Sequence, residues 1–223
     1  MRAIKIFPLC IFLLLFTQSL FAQKTIAFFS GASQVNLVNG KKSENHTSYE
    51  ENARWASQFG VRMITRTGQK RETINLVYSN RKYVVETFAG SQGGWSANDL
   101  NFNLSYLLAK YKFGRYLFGS NHLYFDFGGY VGIPIKRKIR DERSGAFLGV
   151  SGGGSVNENA SDYLLDLEVG ITTDLGYTFE LKDKISAFLE VEFNLGASGK
   201  QDFNRLLMDK AVVLGIAYKL MSE

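Results

Sequence analysis

The side chains able to do chemistry are few and scattered. His46 and His122 are the only histidines, which excludes a histidine-rich metal centre. His46 stands near Ser43, Glu44 and Ser48, the residue types of a serine hydrolase such as some lipid-modifying barrels use. A triad needs a nucleophile turn and an oriented base, and this spacing supplies neither. The expectation is a protein that is not an enzyme, with no catalytic residue, metal or cofactor; a lipid-modifying outer-membrane hydrolase is the alternative. Gly152, Gly153 and Gly154 share only glycine with a phosphate loop, since no Lys and Ser/Thr opening a helix follow, and they read as flexible loop. Beside them Ala146, Phe147, Leu148 and Val150 form a short apolar patch, either a hairpin extension above a membrane or a contact surface.

The charged residues are more orderly. Lys136, Arg137, Lys138, Arg140 and Arg143 make the densest basic run, partly offset by Asp141 and Glu142. It suits contact with the phosphates of lipopolysaccharide or with an acidic envelope partner, and a solvated loop is the competing reading. A second set divides along the chain, with Arg54, Arg62, Arg66 and Arg81 early and Asp166, Glu168, Asp174, Glu190 and Glu192 late.

Residues 1–22 read as a signal peptide, with Arg2 and Lys5 ahead of the apolar run 6–16 and the small Ala22 at the cleavage point. The run is shorter than the roughly 20 residues a membrane helix needs. Its loss lowers the formal charge of +5 by two units and removes Cys10, the one cysteine. Residues 23–223 then form one domain without a disulfide, held by its own core or by a closed sheet. So slight a charge on an exported chain argues against nucleic acid.

The elements that must carry these groups are strands. The composition includes 22 Gly, 18 Phe and 11 Tyr against 2 Pro, which suits aromatic-faced antiparallel sheet. Residues 161–181 alternate with period two: Tyr163, Leu165, Leu167, Val169, Ile171, Leu175, Tyr177 and Phe179 oppose Asp166, Glu168, Gly170, Thr172, Asp174 and Gly176. The same alternation predicts strands over 185–196, 209–220, 123–136 and 100–109. In the last of these the bulky row is Leu100, Phe102, Leu104, Tyr106 and Leu108. Weaker runs at 54–63 and 73–81 and a poor first strand at 25–38 bring the count to eight. Short turns at 67–70 and 182–184 alternate with longer polar connections at 39–52, 88–98, 137–160 and 198–204, the pattern of an outer-membrane barrel.

A soluble barrel would turn the bulky row inward, and a periplasmic lipocalin-like binder of an apolar ligand is therefore an alternative. Opposite that row, however, stand Gly, Ala, Ser, Asn and Asp, which suit the narrow interior of eight strands. The bulky row also carries almost no charge over about 10 residues, the length a tilted strand needs to cross hydrocarbon. We read the chain as an all-β, eight-stranded antiparallel up-and-down transmembrane β-barrel with its polar row inside. In such a ring the early arginines face the late carboxylates, and the two sets are expected to form an interior network that plugs the lumen. Tyr177, Phe179 and Tyr218 at one end and Trp55 and Tyr163 at the other fit interfacial girdles.

Three stretches carry a family likeness: residues 104–111 (LSYLLAKY), 124–132 with Gly128, Gly129, Tyr130, Val131 and Gly132, and 214–218 (LGIAY). In these the mature chain resembles the PorT-like outer-membrane β-barrel proteins of Bacteroidetes. The chain as a whole reads as a structural or interaction protein, an envelope or secretion accessory in contact with outer-membrane lipid and lipopolysaccharide, and the resemblance implies only a barrel in the outer membrane. It implies no activity.

Overall fold

The computed structural model describes residues 23–37, 47–91, 94–147, 150–159, 167–198 and 205–220. Residues 1–22, read above as a signal peptide, and His46, Leu148, Tyr163 and Asp166 lie outside them. The described chain is made of strands: β1 (Gln23–Leu37), β2 (Thr47–Thr67), β3 (Lys70–Ser91), β4 (Gly94–Tyr116), β5 (Leu123–Phe147), β6 (Val150–Asn159), β7 (Glu168–Lys182), β8 (Ile185–Ser198) and β9 (Arg205–Lys219). All pair antiparallel, and β1 pairs with both β2 and β9, so the sheet closes on itself. β7 lies along residues 123–132 of β5 and β6 along residues 138–147. Nine strands thus make eight staves, the closed up-and-down barrel that period-two alternation predicts.

The start of β1, the end of β9 and the short turns share one rim. Leu220 N–H donates to the Lys24 carbonyl there, and Gly68 adopts φ +60° in the two-residue turn between β2 and β3. At the other rim the sequence expectation of long loops needs correction. Residues 88–98 are a paired hairpin ending in Ser91↔Gly94. The basic run 136–143 and Gly152 to Gly154 lie within β5 and β6, joined by Phe147↔Val150. The reason is physical. Beyond the apolar belt both faces of a sheet meet water, so alternation is lost while the backbone ladder continues. Glycine and charge there marked the end of the apolar face, not the end of pairing. A wall of β2 to β6 therefore rises above the rest of the barrel.

Inside the belt, alternation sets the faces as read from sequence for β2, β3, β5, β7, β8 and β9. Val169, Ile171, Val191, Phe193, Leu214 and Ile216 are exposed, whereas Glu168, Thr172, Asp174, Glu190, Glu192 and Asn194 are buried. Outward residues of β5 run from Phe125 to Ile135. At a rise of about 3.3 Å per residue and a tilt near 40°, that length makes a belt about 25 Å tall, the height of a transmembrane barrel's apolar band.

β4 reverses the expectation. Phe102, Leu104, Tyr106 and Leu108 are buried, and Leu107, Tyr111 and Phe113 face out. The inward row continues through Lys110 and Lys112, whose ammonium groups meet interior carboxylates. Opposite them Leu107, Ala109, Tyr111 and Phe113 are exposed and apolar, so the lysines decide which face turns inward.

Large interior side chains fit because glycines stand opposite them. A Cβ on Gly176 would lie 2.3 Å from the Tyr124 ring, and one on Gly196 would lie 2.1 Å from the Tyr130 hydroxyl. These two rings then reach the carboxylates described next.

Candidate functional site

Period-two alternation delivers polar residues into a closed cylinder, and the cylinder leaves them only one another as partners. Among the described residues the interior buries five cations, Arg62, Arg71, Arg81, Lys110 and Lys112, and six carboxylates, Asp126, Glu168, Asp174, Glu190, Glu192 and Asp209. Removing such groups from water is tolerated when they are paired and hydrogen-bonded, and each finds a partner on another stave.

Glu190 on β8 is the hub. Arg62 on β2 binds it with two nitrogens, at 2.5 and 2.7 Å, and the Tyr124 hydroxyl donates to it at 2.8 Å. The third Arg62 nitrogen, Nε, donates to Asn75 at 3.0 Å. The guanidinium lies between the rings of Phe29 and Phe188, 5.1 and 5.0 Å from their centroids. Arg71 pairs with Asp126 at 2.8 Å and covers the Tyr124 ring at 3.7 Å. Toward the opposite rim Arg81 meets Glu168 at 2.5 Å and Asp209 at 3.7 Å, with the Tyr130 hydroxyl donating to Glu168 at 2.7 Å. Lys110 reaches Glu192 at 2.5 Å and Asn194 at 3.3 Å.

Asp174, Glu190 and Glu192 bring their oxygens within 4.8 Å of one another, a spacing that would suit a cation. The cation between them is the Lys112 ammonium, bonded to Asp174 and 3.7 and 3.6 Å from the two glutamates. The site is thus filled by the chain itself. At the turn rim a small cleft is lined by Arg66, Arg71, Tyr116, Asn121, Phe188 and Lys219.

Of the residues read from sequence as an interior network, Arg62, Arg81, Glu168, Asp174, Glu190 and Glu192 meet inside. Two do not. Arg54 is exposed on the outer wall, because a bulge between Arg54 and Gln58 shifts the register of β2 against β3 and re-aims the side chain. Arg66 sits at the turn rim, donating to the Gly68 carbonyl and to Asn121. Arg71, Lys110, Lys112, Asp126 and Asp209 were missed. Arg71 shares parity with Thr73 and Asn75, and Asp126 and Asp209 with interior glycines and alanines, so the signal was present for three of the five; the lysines share parity with Leu108, on a row that alternation turns outward.

Of the basic run, Lys136, Lys138 and Arg140 are exposed. Arg140 bonds Glu142 at 2.9 Å. Arg137 is half-buried, and Arg143 pairs by backbone with Asn98. His122 donates from Nδ1 to the Thr178 carbonyl at 3.0 Å and stacks on Tyr177 at 5.6 Å. It belongs to the turn-side aromatic girdle with Phe179 and Tyr218.

On the outer face of the wall Glu86, Asp99 and Glu142 are direct cross-strand neighbours. The Asp99 carboxyl is held above its ordinary range, first by partial burial and then by Glu86 and Glu142. A carboxyl raised on folding favours the folded state at low pH, and that contribution is lost as pH rises through the folded value. Asp99→Asn is therefore expected to slow hydrogen exchange in the β3–β4 hairpin at neutral pH. The advantage should vanish below about pH 4, where the carboxyls are protonated. Equal exchange in both proteins at pH 7 would refute it.

No protein-family model and no curated protein sequence matches the chain. Among solved structures it is similar to the attachment invasion locus protein Ail of Yersinia pestis (10% identity over 89% of this chain and 99% of that one, TM-score 0.39). It is also similar to Neisserial surface protein A (7% identity, 88% and 97%, TM-score 0.44). A third is the outer membrane protein OprG of Pseudomonas aeruginosa (14% identity, 90% and 97%, TM-score 0.43).

Proposed function

We propose that this chain is an integral outer-membrane barrel that works without catalysis, as a structural or interaction element of the envelope, with its lumen closed to solutes. One observation carries the reading: the exterior of the closed sheet is apolar while the interior holds paired charges. A soluble barrel in water has the opposite arrangement, and a closed ring meets the requirement that no backbone group be left open in lipid. Export by residues 1–22 belongs to the same proposal, as does membership of the PorT-like barrels, which rests on residues 104–111, 124–132 and 214–218. A role as an accessory to other envelope proteins fits the tall wall of β2 to β6, whose paired strands present ordered surface beyond the membrane.

The test joins compartment to closure. After cell lysis the protein is expected in the outer-membrane fraction, migrating faster on gels before boiling than after. In planar bilayers it is expected to show no sustained conductance, because ion pairs cross the lumen at several levels. Recovery in the soluble fraction would overturn the membrane reading, and steady porin-sized openings would overturn the closed lumen.

A further inference from the structure

The wall changes character in layers where it leaves the belt. Ile133 and Ile135 on β5, Leu107 on β4 and Trp55 on β2 are exposed apolar residues at the upper edge of the belt. Next comes a polar ladder, in which Ser105 donates to Asn80 at 2.9 Å and Asn80 to Ser57 at 3.1 Å, with the exposed Lys136 paired in register to Ser105. The following row is cationic: Arg54 pairs in register with Lys82, Lys82 with Asn103, and Asn103 with Lys138. All three cations are exposed. The bulges after Arg54 and at Ser105/Tyr106 fall at this level, and they set these side chains on the outer face.

Such a row has a cost. Like charges directly opposite each other on neighbouring strands destabilise a sheet, as Arg54 and Lys82 do here, and no carboxylate pairs with Arg54, Lys82 or Lys138 among the described residues. Acidic side chains are near: Glu86 on β3, Asp99 on β4 and Glu142 on β5 lie four positions farther from the belt than Lys82, Asn103 and Lys138. They stand two rows higher, with Arg140 in the row between.

We propose that the Arg54–Lys82–Lys138 row binds the phosphates of an outer-leaflet glycolipid, seated with its acyl chains on Leu107, Ile133 and Ile135. The row spans three strand spacings of about 4.8 Å, roughly 14 Å, the reach of a disaccharide carrying a phosphate at each end. The apolar belt directly below selects a lipid over a free anion, and the carboxylate row above repels phosphate from any higher seat. The polar ladder gives hydroxyl and amide partners to the sugar, with the Lys136 ammonium in the same row. This inference rests on the membrane-barrel reading and adds its lipid partner.

The test uses the full chain folded in neutral detergent and titrated with diphosphoryl lipid A or with its dephosphorylated form, the bound lipid being counted by native mass spectrometry. The wild-type protein is expected to prefer the diphosphoryl form about tenfold at low salt, and less as salt screens the row. The variant R54Q/K82Q/K138Q is expected to lose that preference. A control with the same charge change at the turn rim, K70Q/K182Q/K184Q, should keep it; all three control lysines are exposed there. A wild type that binds both lipids equally, or a triple variant that retains the preference, would overturn the inference. Failure of the wild type to show heat-modifiable mobility would instead overturn the membrane-barrel reading, so the two failures are separable.

Discussion

Glu190→Ala is expected to destabilise the folded barrel by about 3–5 kcal/mol, the usual effect of stranding one partner of a buried pair. The variant leaves the Arg62 guanidinium without its two-point partner between Phe29 and Phe188, and it takes an acceptor from Tyr124 and a counter-charge from Lys112. Equilibrium unfolding in urea from lipid vesicles would measure it. Arg62→Met combined with Glu190→Ala should lose less than the two single changes together, because the double variant buries no stranded guanidinium. A loss under about 1 kcal/mol for the single variant would mean that water reaches Arg62. The lumen would then be wet, and the closed interior on which the proposed function depends would be wrong.

Ile216→Arg separates lipid from water on the outside. Ile216 is 59% exposed and lies midway along the outward row of β9, between Val212 and Leu220. On a wet surface the substitution would be nearly neutral, within about 0.5 kcal/mol. At the middle of a bilayer an arginine on the lipid face costs about 2–4 kcal/mol. The larger loss is expected, and it should be accompanied by a reduced yield of the heat-modifiable form. A neutral result would assign the belt to solvent or to another protein.

How far these features could be read from residue order depends on the strand. β7 and β8 are legible because their alternation is strict and their carboxylates share one parity, so Glu168, Asp174, Glu190 and Glu192 declare an inner face without any knowledge of their partners. β4 is not, because Leu100, Phe102, Leu104, Tyr106 and Leu108 oppose Asn101, Asn103 and Ser105, the pattern that marks an outward bulky row on the other strands. There Lys110 and Lys112, at the end of the row, outweigh Phe102, Leu104, Tyr106 and Leu108. Arg54 shows a second limit. Its parity follows Arg62, yet a bulge lies between them, and a bulge leaves no mark in a period-two count.

Residue order alone thus determined the strand class, the closed antiparallel ring and the separation of an apolar face from a charged one. These follow from side chains that alternate at every peptide, a property of the backbone itself. The tertiary structure decided which cation meets which acid, which face of β4 turns inward, and where β6 lies. Each of those depends on register between staves far apart in the chain: Arg62 and Glu190 are 128 residues apart. Only closure of the ring brings such groups within hydrogen-bonding distance.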